Sequence, residues 1–491
     1  MSTLSKSEKL EVALSKGNTP RESLNDGIEN LGGISKFIEK DDQVFIKFNL
    51  TLPGGFPLNT NLDVLKELIL LCKEAGAKRI YLGSFPVKGI SIKYISDLLD
   101  LKEIFSSFGA ELVFFDNSNY YEDKKIELDQ LKKIKYQSLT KVQIRENEFM
   151  IPNEILNSNK FISVNQINVN PIFKLNLSLL NIYSITPSKY RKINTNKHNI
   201  NDYLYNDQYK QELITKILDV YAIKKPDLVI NDLFYVLEGA GPYIYKESEL
   251  RKTGFMVIGR DAIAVDRITM NLVNLEEDEC ILIKNAKKRY SLDQNPLDIK
   301  IIGEDLEDSK ININQCISSI QDLKVHNIDI KSGKYCSGCF LKAYHLLNIM
   351  KTYMVKDLKY NFDNHFLIGD KPPEPEISGN TFIFGDCAVN STRAYKFRKI
   401  IKESKKKSLG EIKNKIIKDK SKREKKTKIK EKENKYILEV SGCPPNIFSS
   451  LDLILKYYGY KNAPNLHFFT ETNESWIKGK SSENLKIWEG L

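Results

Sequence analysis

The sequence predicts an α/β protein: a three-layer domain around a largely parallel sheet, joined to a smaller C-terminal α/β domain built around cysteines. Three observations predict it. Apolar runs of strand length alternate with amphipathic helical stretches through the first part of the chain. At 491 residues the chain is too long for one ordinary core. Four cysteines, Cys336, Cys339, Cys387 and Cys443, gather in the last third, and each of the last two follows an apolar run that ends in a glycine turn.

The elements follow in order. After a polar leader, Thr19-Pro20-Arg21-Glu22 supplies a cap, a first-turn proline and an acid, the signature of a helix start, and Gly32-Gly33 ends that helix. DDQVFIKFNL is a strand and TLPGGFPLNT a loop. A helix capped by Asn59 or Thr60 then runs through VLKELILLCKEAG. KRIYLGSF is a second strand, SIKYISDLLDLKEIFSSFG a helix and ELVFFD a third strand. From Asn117 to Met150 the chain is polar and irregular, an excursion with short strands of its own. The pattern resumes with the strand KFISVNQINV, the apolar helical segment LNLSLLNIYSI, the amphipathic helix YKQELITKILDVYAI and the strand PDLVINDLF. GFMVIGRDAIAVDRITMNLVNL reads as strand, turn and helix with Asp261 at the cap, and EDECILIKNAKKR as another helix. DIKIIGEDL is a short strand that closes the first domain, residues 1–305.

The second domain is residues 306–491. Its cysteine pair opens the helix CFLKAYHLLNIMKTYMV. A Pro-rich linker, Lys371 to Pro375, precedes the strands TFIFGDC and YILEVSGC, and a lysine-rich helical insertion at 398–435 separates them. NIFSSLDLILKYYG reads as a last helix, and no internal repeat is present.

Charge is unevenly placed. The net charge is +11, yet the stretch from Arg393 to Lys435 alone holds 20 Lys or Arg against 6 Asp or Glu, a balance of +14 that leaves the rest near −3. That stretch has almost no aromatic residues and no groove-reading motif, which argues for a solvated helical hairpin over a nucleic-acid site. Docking to an acidic redox partner lies between the two readings. The N-terminus has no apolar core of signal-peptide length and no uncharged run is long enough to span a bilayer, so a cytoplasmic protein with no membrane segment is expected. Seven cysteines in that compartment suggest ligands or core thiols, not disulfides; Cys72, Cys280 and Cys316 read as buried small hydrophobes.

A strand that ends in a turn aims its thiolate at a fixed spot. Four thiolates around one point make a soft-ligand site, suited to an iron–sulfur cluster or to zinc. Small zinc modules pair their ligands in two short knuckles, whereas here one knuckle exists and two ligands arrive singly on strands. Cys336-Ser-Gly-Cys339, Gly385-Asp386-Cys387 and Gly442-Cys443-Pro444-Pro445 resemble, in that order, the proximal-cluster motif of nickel–iron hydrogenase small subunits and the related complex I subunit. The resemblance implies a 4Fe-4S cluster with four protein ligands, Cys336, Cys339, Cys387 and Cys443. Such a cluster leaves no iron corner free and serves electron transfer or structure.

A second resemblance covers residues 20 to 305. VFIKFNLTLPGGFPLNTNLDVLKELILLCKEAGAKRIYLGSF is similar to the opening of the domain-of-unknown-function 362 family. NDLFYVLEGAGP followed by GFMVIGRDAIAVDRITMNLV is similar to its closing motif. Where that family carries a K-T-H stretch, this chain has Asn168, Asn170 and Lys174. The resemblance implies a fold and an iron–sulfur association, not a reaction. The residues themselves suggest a polar ligand pocket at one sheet edge. Lys47 and Asn49 sit where a strand meets a Gly-Pro loop. Asp232, Glu238, Gly239 and Gly241 follow another strand end, where glycines let N–H groups approach an anion, and Asp261 and Asp266 flank a helix start. Against this stand plainer roles: a snorkelling lysine for Lys47, an ion pair for Glu238 and an N-cap for Asp261.

The expectation is therefore an iron–sulfur-cluster-binding protein whose redox work is linked to that pocket, an iron–sulfur oxidoreductase if it is an enzyme, served by a redox partner protein or a small-molecule substrate. The alternatives are a zinc-stapled α/β isomerase or lyase, and a nucleic-acid-associated protein that uses the basic arm at 398–435. Gly479-Lys480-Ser481 imitates the end of a phosphate-binding loop but has Glu474 where the upstream glycine belongs, and the five histidines form no metal-binding pair.

Overall fold

A computed structural model describes residues 10–51, 54–86, 92–115, 139–193, 200–292, 299–355, 358, 364–376, 379–400, 436–447, 450–451 and 453–454. The chain divides into two compact units. The described part of the first lies within Met1–Ile193 and Gln211–Cys316, and that of the second within Asn194–Lys210 and Ile317–Ser475. Most of the lysine-rich insertion, much of the last predicted helix and the tail lie outside the described residues.

In the first unit eight strands form the path of one sheet: β1 (Leu10–Lys16), β2 (Gln43–Phe48), β3 (Arg79–Gly83), β4 (Glu111–Leu112), β7 (Lys160–Asn170), β9 (Leu228–Gly239), β10 (Ser248–Gly259) and β11 (Ile299–Gly303). Their order is β11-β1-β10-β9-β7-β2-β3-β4, and β8 (Lys174–Leu175) pairs with β7 off that path. The block β9-β7-β2-β3-β4 is parallel throughout, as expected of strands separated by helices. β10 runs antiparallel to both β9 and β1. β2 is buried at every position after its first, and so is β7, because both faces of a parallel sheet are covered. The excursion after Asn117 carries a hairpin of its own, β5 (Leu139–Ile144) with β6 (Asn147–Pro152).

Several local readings are corrected. The leader is not all polar coil: Leu10–Lys16 forms β1, with Val12, Ala13 and Leu14 in the core. The helix Leu62–Glu74 is capped by Asn61, whose side chain accepts the Asp63 N–H. Thr60 and Asn59 instead accept the N–H groups of Asn49 and Thr51. The single helix expected after residue 91 is two, Ile92–Leu99 and Leu101–Ser107, broken at Asp100, whose φ of 51° lies in the left-handed region. The capping of Pro20–Asn30 by Thr19 is as the sequence reads.

The second unit has a four-stranded parallel sheet in chain order, β12 (Ile328–Ser332), β13 (Asn364–Ile368), β14 (Asn380–Phe384) and β15 (Ile437–Val440). Only the last two were expected. The helix Ser337–Tyr353 lies in the connection between β12 and β13, and the short helix Asp386–Ser391 follows β14. Leu367, Ile383, Ala388, Val389 and Phe397 form a core cluster of this unit. Among the described residues no helix is long and apolar enough to cross a membrane.

Candidate functional site

All four cysteines come after the carboxyl ends of parallel strands, the edge at which open α/β sheets bind ligands. Cys336 and Cys339 follow β12, Cys387 follows β14 and Cys443 follows β15. Cys336 is the N-cap of the helix Ser337–Tyr353, whose Gly338 and Cys339 N–H groups bond its sulfur. Bonds from the Cys339 thiol and from the N–H groups of Cys339 and Gly338 favour its thiolate and bring its pKa down to about 7 against the opposing effect of burial. The same bond to Cys336, with burial, holds the Cys339 thiol well above its usual range, and Cys336, Cys387 and Cys443 all act on it electrostatically. Burial pushes the Cys387 thiol up to about 12, with further contributions from Cys443 and Cys336.

The turns that carry these thiols are locked together. Gly385 N–H donates to Val440 O at 2.8 Å, Asp386 N–H to Gly442 O at 3.1 Å, and Gly442 N–H returns a bond to Asp386 Oδ1 at 2.8 Å. Gly385 has φ of 89°, and a Cβ there would stand 3.2 Å from Cys339 Sγ. Glycine thus lets the sulfur approach the backbone. Two residues distant in the chain and carrying no local signal for this place, Asp207 and Tyr209, also stand here. Asp207 accepts the Ser337 N–H at 3.1 Å. The Tyr209 ring lies so close to Gly338 that a Cβ would meet it at 2.8 Å, and its phenol feels Cys336, Cys339 and Cys443. The chain does not close the set on an ion-sized point: among the described residues no three His, Cys, Asp or Glu side chains are grouped so as to hold a metal ion.

The polar residues picked out in the first unit do not form one group. Lys47 pairs with Ser163 and Asn165 with Asn231, so these four share a face of the sheet; Gln166 and Asp232 lie on the other. Asp232 is buried, and its carboxyl, with one bond from the Phe234 N–H at 2.9 Å, is pushed up to about 7 by burial. Asn49 extends the ladder beyond β2, its Oδ1 accepting the Gln166 N–H at 2.8 Å.

Asp261 caps its own helix, Ala262–Leu272, through the Ala264 N–H at 2.9 Å. Asp266, buried on that helix, caps another: it accepts from Ser178 N–H at 2.8 Å, Leu179 N–H at 3.1 Å and Asn231 Nδ2 at 2.9 Å. Burial pushes its carboxyl up to about 6 while these bonds pull the other way.

Glu238 takes both donors of Asn314 at 3.1 Å and lies 3.8 Å from the Arg251 guanidinium. The N–H groups of Gly239 and Gly241 are already bonded, to Asn314 O and to Cys316 Sγ. The two glycines serve close backbone approach instead: a Cβ on Gly241 would lie 2.2 Å from Val169 O. Asn168 and Asn170 also bind backbone, Asn168 through Pro57 O and Leu237 N–H, Asn170 through the N–H groups of Ile172 and Phe173. Lys174 forms the short strand opposite Asn170.

Cys72 and Cys280 are buried in the core, and burial raises both thiols, to about 12 and about 11. Cys316 is only half-buried.

Comparison with known families agrees with the N-terminal resemblance. Residues 44–271 match the model of a family described as domain of unknown function (DUF362). No curated protein matches the chain.

Proposed function

We propose that this chain is an iron–sulfur-cluster-binding protein, with a four-iron–four-sulfur cluster held by Cys336, Cys339, Cys387 and Cys443 and with redox work linked to a ligand pocket in the N-terminal unit. The observation that carries the reading is the common placement of the four cysteines beyond the carboxyl ends of β12, β14 and β15, within electrostatic reach of one another. The donor set fits: four soft thiolates and no harder ligand suit a cluster. One zinc ion would draw its thiolates to about 4 Å apart, given bonds of about 2.3 Å. A cluster spans a wider gap than one zinc ion does, so the sulfur separations distinguish the two.

When bound, such a cluster supplies one-electron transfer. The chain's own part is to prepare the ligands. The N-terminal amides of the helix Ser337–Tyr353 favour a thiolate at Cys336. The reciprocal bonds between the Gly385 and Gly442 turns hold Cys387 and Cys443 in register. The burial of Cys336 and Cys339 limits contact with water and oxidants.

Anaerobic purification with iron, acid-labile sulfide and zinc analysis tests the reading. The expected protein is brown, with a broad absorbance near roughly 400 nm that bleaches on reduction, and it loses iron when any of the four cysteines is changed to alanine. Colourless protein with one zinc per chain would overturn the proposal.

A further inference from the structure

The ends of β1 and β11 open onto a cleft of about 280 Å³ in the N-terminal unit. Gly303 closes β11 beside Leu14 of β1, and the chain then runs through Glu304 into the short helix Leu306–Ser309. Lys16, the last residue of β1, stands opposite Phe255 of β10, and its Nζ lies 4.8 Å from the centre of the Phe255 ring. Phe255 and Ile311 supply the apolar part of the lining. β1 and β9 both run antiparallel to β10 and so point the same way, which puts the cleft at the carboxyl edge of the large sheet.

The charges of this cleft are not balanced from within. Three carboxylates line it, those of Glu304, Asp305 and Asp308. Asp305 is committed as the cap of the short helix, its Oδ1 accepting the N–H groups of Glu307 at 2.8 Å and Asp308 at 3.0 Å. Glu304 and Asp308 are exposed, and their side chains make no ion pair or hydrogen bond among the described residues. Of the two lysines in the lining, Lys310 pairs with Glu307 at 2.7 Å and Lys16 sits on the Phe255 ring. A second observation is independent of the acids. Ser309 lines the cleft and is only 9% exposed, yet its hydroxyl has no hydrogen-bond partner among the described residues. A buried hydroxyl with room beside it and no partner suits a ligand that brings a donor. The acids do not close on an ion-sized point, since among the described residues no three His, Cys, Asp or Glu side chains are grouped so as to hold a metal ion. Free carboxylates beside an apolar wall suit an alkylammonium instead: its stem covers the wall while its N–H groups meet the acids and the hydroxyl.

We propose that this cleft binds an aliphatic polyamine, with Glu304 and Asp308 meeting its ammonium groups, Phe255 and Ile311 lying along its methylenes and Ser309 accepting a hydrogen bond. The site uses none of the four cysteines and does not require the cluster.

The test uses the full chain, titrated with spermidine in one arm and magnesium chloride in the other at matched ionic strength, read by calorimetry and by Tm. Saturable binding of spermidine is expected, with magnesium giving no more than the response of ionic screening. Glu304→Gln and Asp308→Asn should each weaken spermidine binding by about two- to fivefold, as the loss of an exposed charge pair does, and the double variant by about tenfold. Both side chains are exposed and without partners, so these variants should fold as the parent does. Ser309→Ala should weaken binding by about fivefold, the loss of one neutral hydrogen bond. Magnesium binding as tightly as spermidine, no saturable binding of spermidine, or full spermidine affinity in the double variant would overturn the proposal. Spermidine binding is read whatever the metal content, so its failure is separable from failure of the cluster reading.

Discussion

Nζ of Lys47 lies 2.6 Å from Oδ1 of Asn181 inside the N-terminal unit. Asn181 is itself fixed, its Nδ2 donating to Ser163 Oγ at 3.0 Å and Val164 O at 3.1 Å. A lysine held in this way is a poor choice for stability, because its ammonium gives up water for two uncharged acceptors.

Lys47→Met should therefore stabilise the protein near neutral pH, provided the two abandoned acceptors are tolerated. The sign with pH follows from the lowered native pKa. Between that value and about 10.5 the unfolded chain carries the proton and the native one does not, so wild-type stability gains up to about 1.4 kcal/mol per pH unit from this group. The advantage of the variant should shrink as pH rises towards 10. Urea midpoints of both proteins from pH 7 to 10 measure it, and a pH-independent difference would contradict the expectation.

Asp232 makes the complementary case. Its carboxyl is pushed up to about 7 by burial. For an acid with a raised native pKa, the stabilising contribution is complete below the unfolded value near 4 and is lost as pH rises to about 7. Asp232→Asn keeps an acceptor for the Phe234 N–H and removes the charge. It should be more stable than wild type at pH 8, by up to about 4 kcal/mol, with no advantage at pH 4. Thermal unfolding at the two pH values checks this.

Gly385→Ala acts on the cysteine assembly. The residue has φ of 89°, and the new Cβ would sit 3.2 Å from Cys339 Sγ. Backbone strain alone should lower stability by about 1 kcal/mol. Under the cluster reading, iron per chain should fall as well. Unchanged Tm together with unchanged iron would show that the close approach is unimportant.

Half-buried Arg289 forms an ion pair with buried Asp219, Nη2 to Oδ1 2.7 Å apart, and Asn147 Nδ2 donates to the other carboxylate oxygen at 2.7 Å. Arg289→Met removes the ion-pair partner of a buried acid and should destabilise by about 3 kcal/mol. Adding Asp219→Asn should recover most of that loss. A double-mutant cycle by chemical denaturation measures the coupling, and additive effects would contradict it.

Much of the fold is legible locally. The Thr19-Pro20 start, the helix Leu62–Glu74 and the strand Gln43–Phe48 follow from cap residues and from apolar periodicity, which neighbouring residues fix between them. Leu10–Lys16 is hidden because it is short and follows a charged leader; its strand character comes from pairing with β10 and β11, distant in the chain. Ile328–Ser332 and Asn364–Ile368 are hidden in the same way, their partners being each other and β14. For the site, the cysteine spacing was readable, but nothing near Asp207 or Tyr209 signals that they stand beside thiols more than a hundred positions later.

The sequence by itself determined the α/β class and the four cysteines that follow strands in the last third of the chain. It could do so because residue type, turn chemistry and periodicity act over a few neighbours. Only the tertiary structure decided which residues share a face and an edge. Strand register puts Lys47 and Asp232 on opposite faces, packing makes Asp266 the cap of a helix far from it in the chain, and pairing brings all four cysteines to the carboxyl edge of one parallel sheet. Register depends on pairings between segments far apart in the chain, and a one-residue slip would exchange the faces.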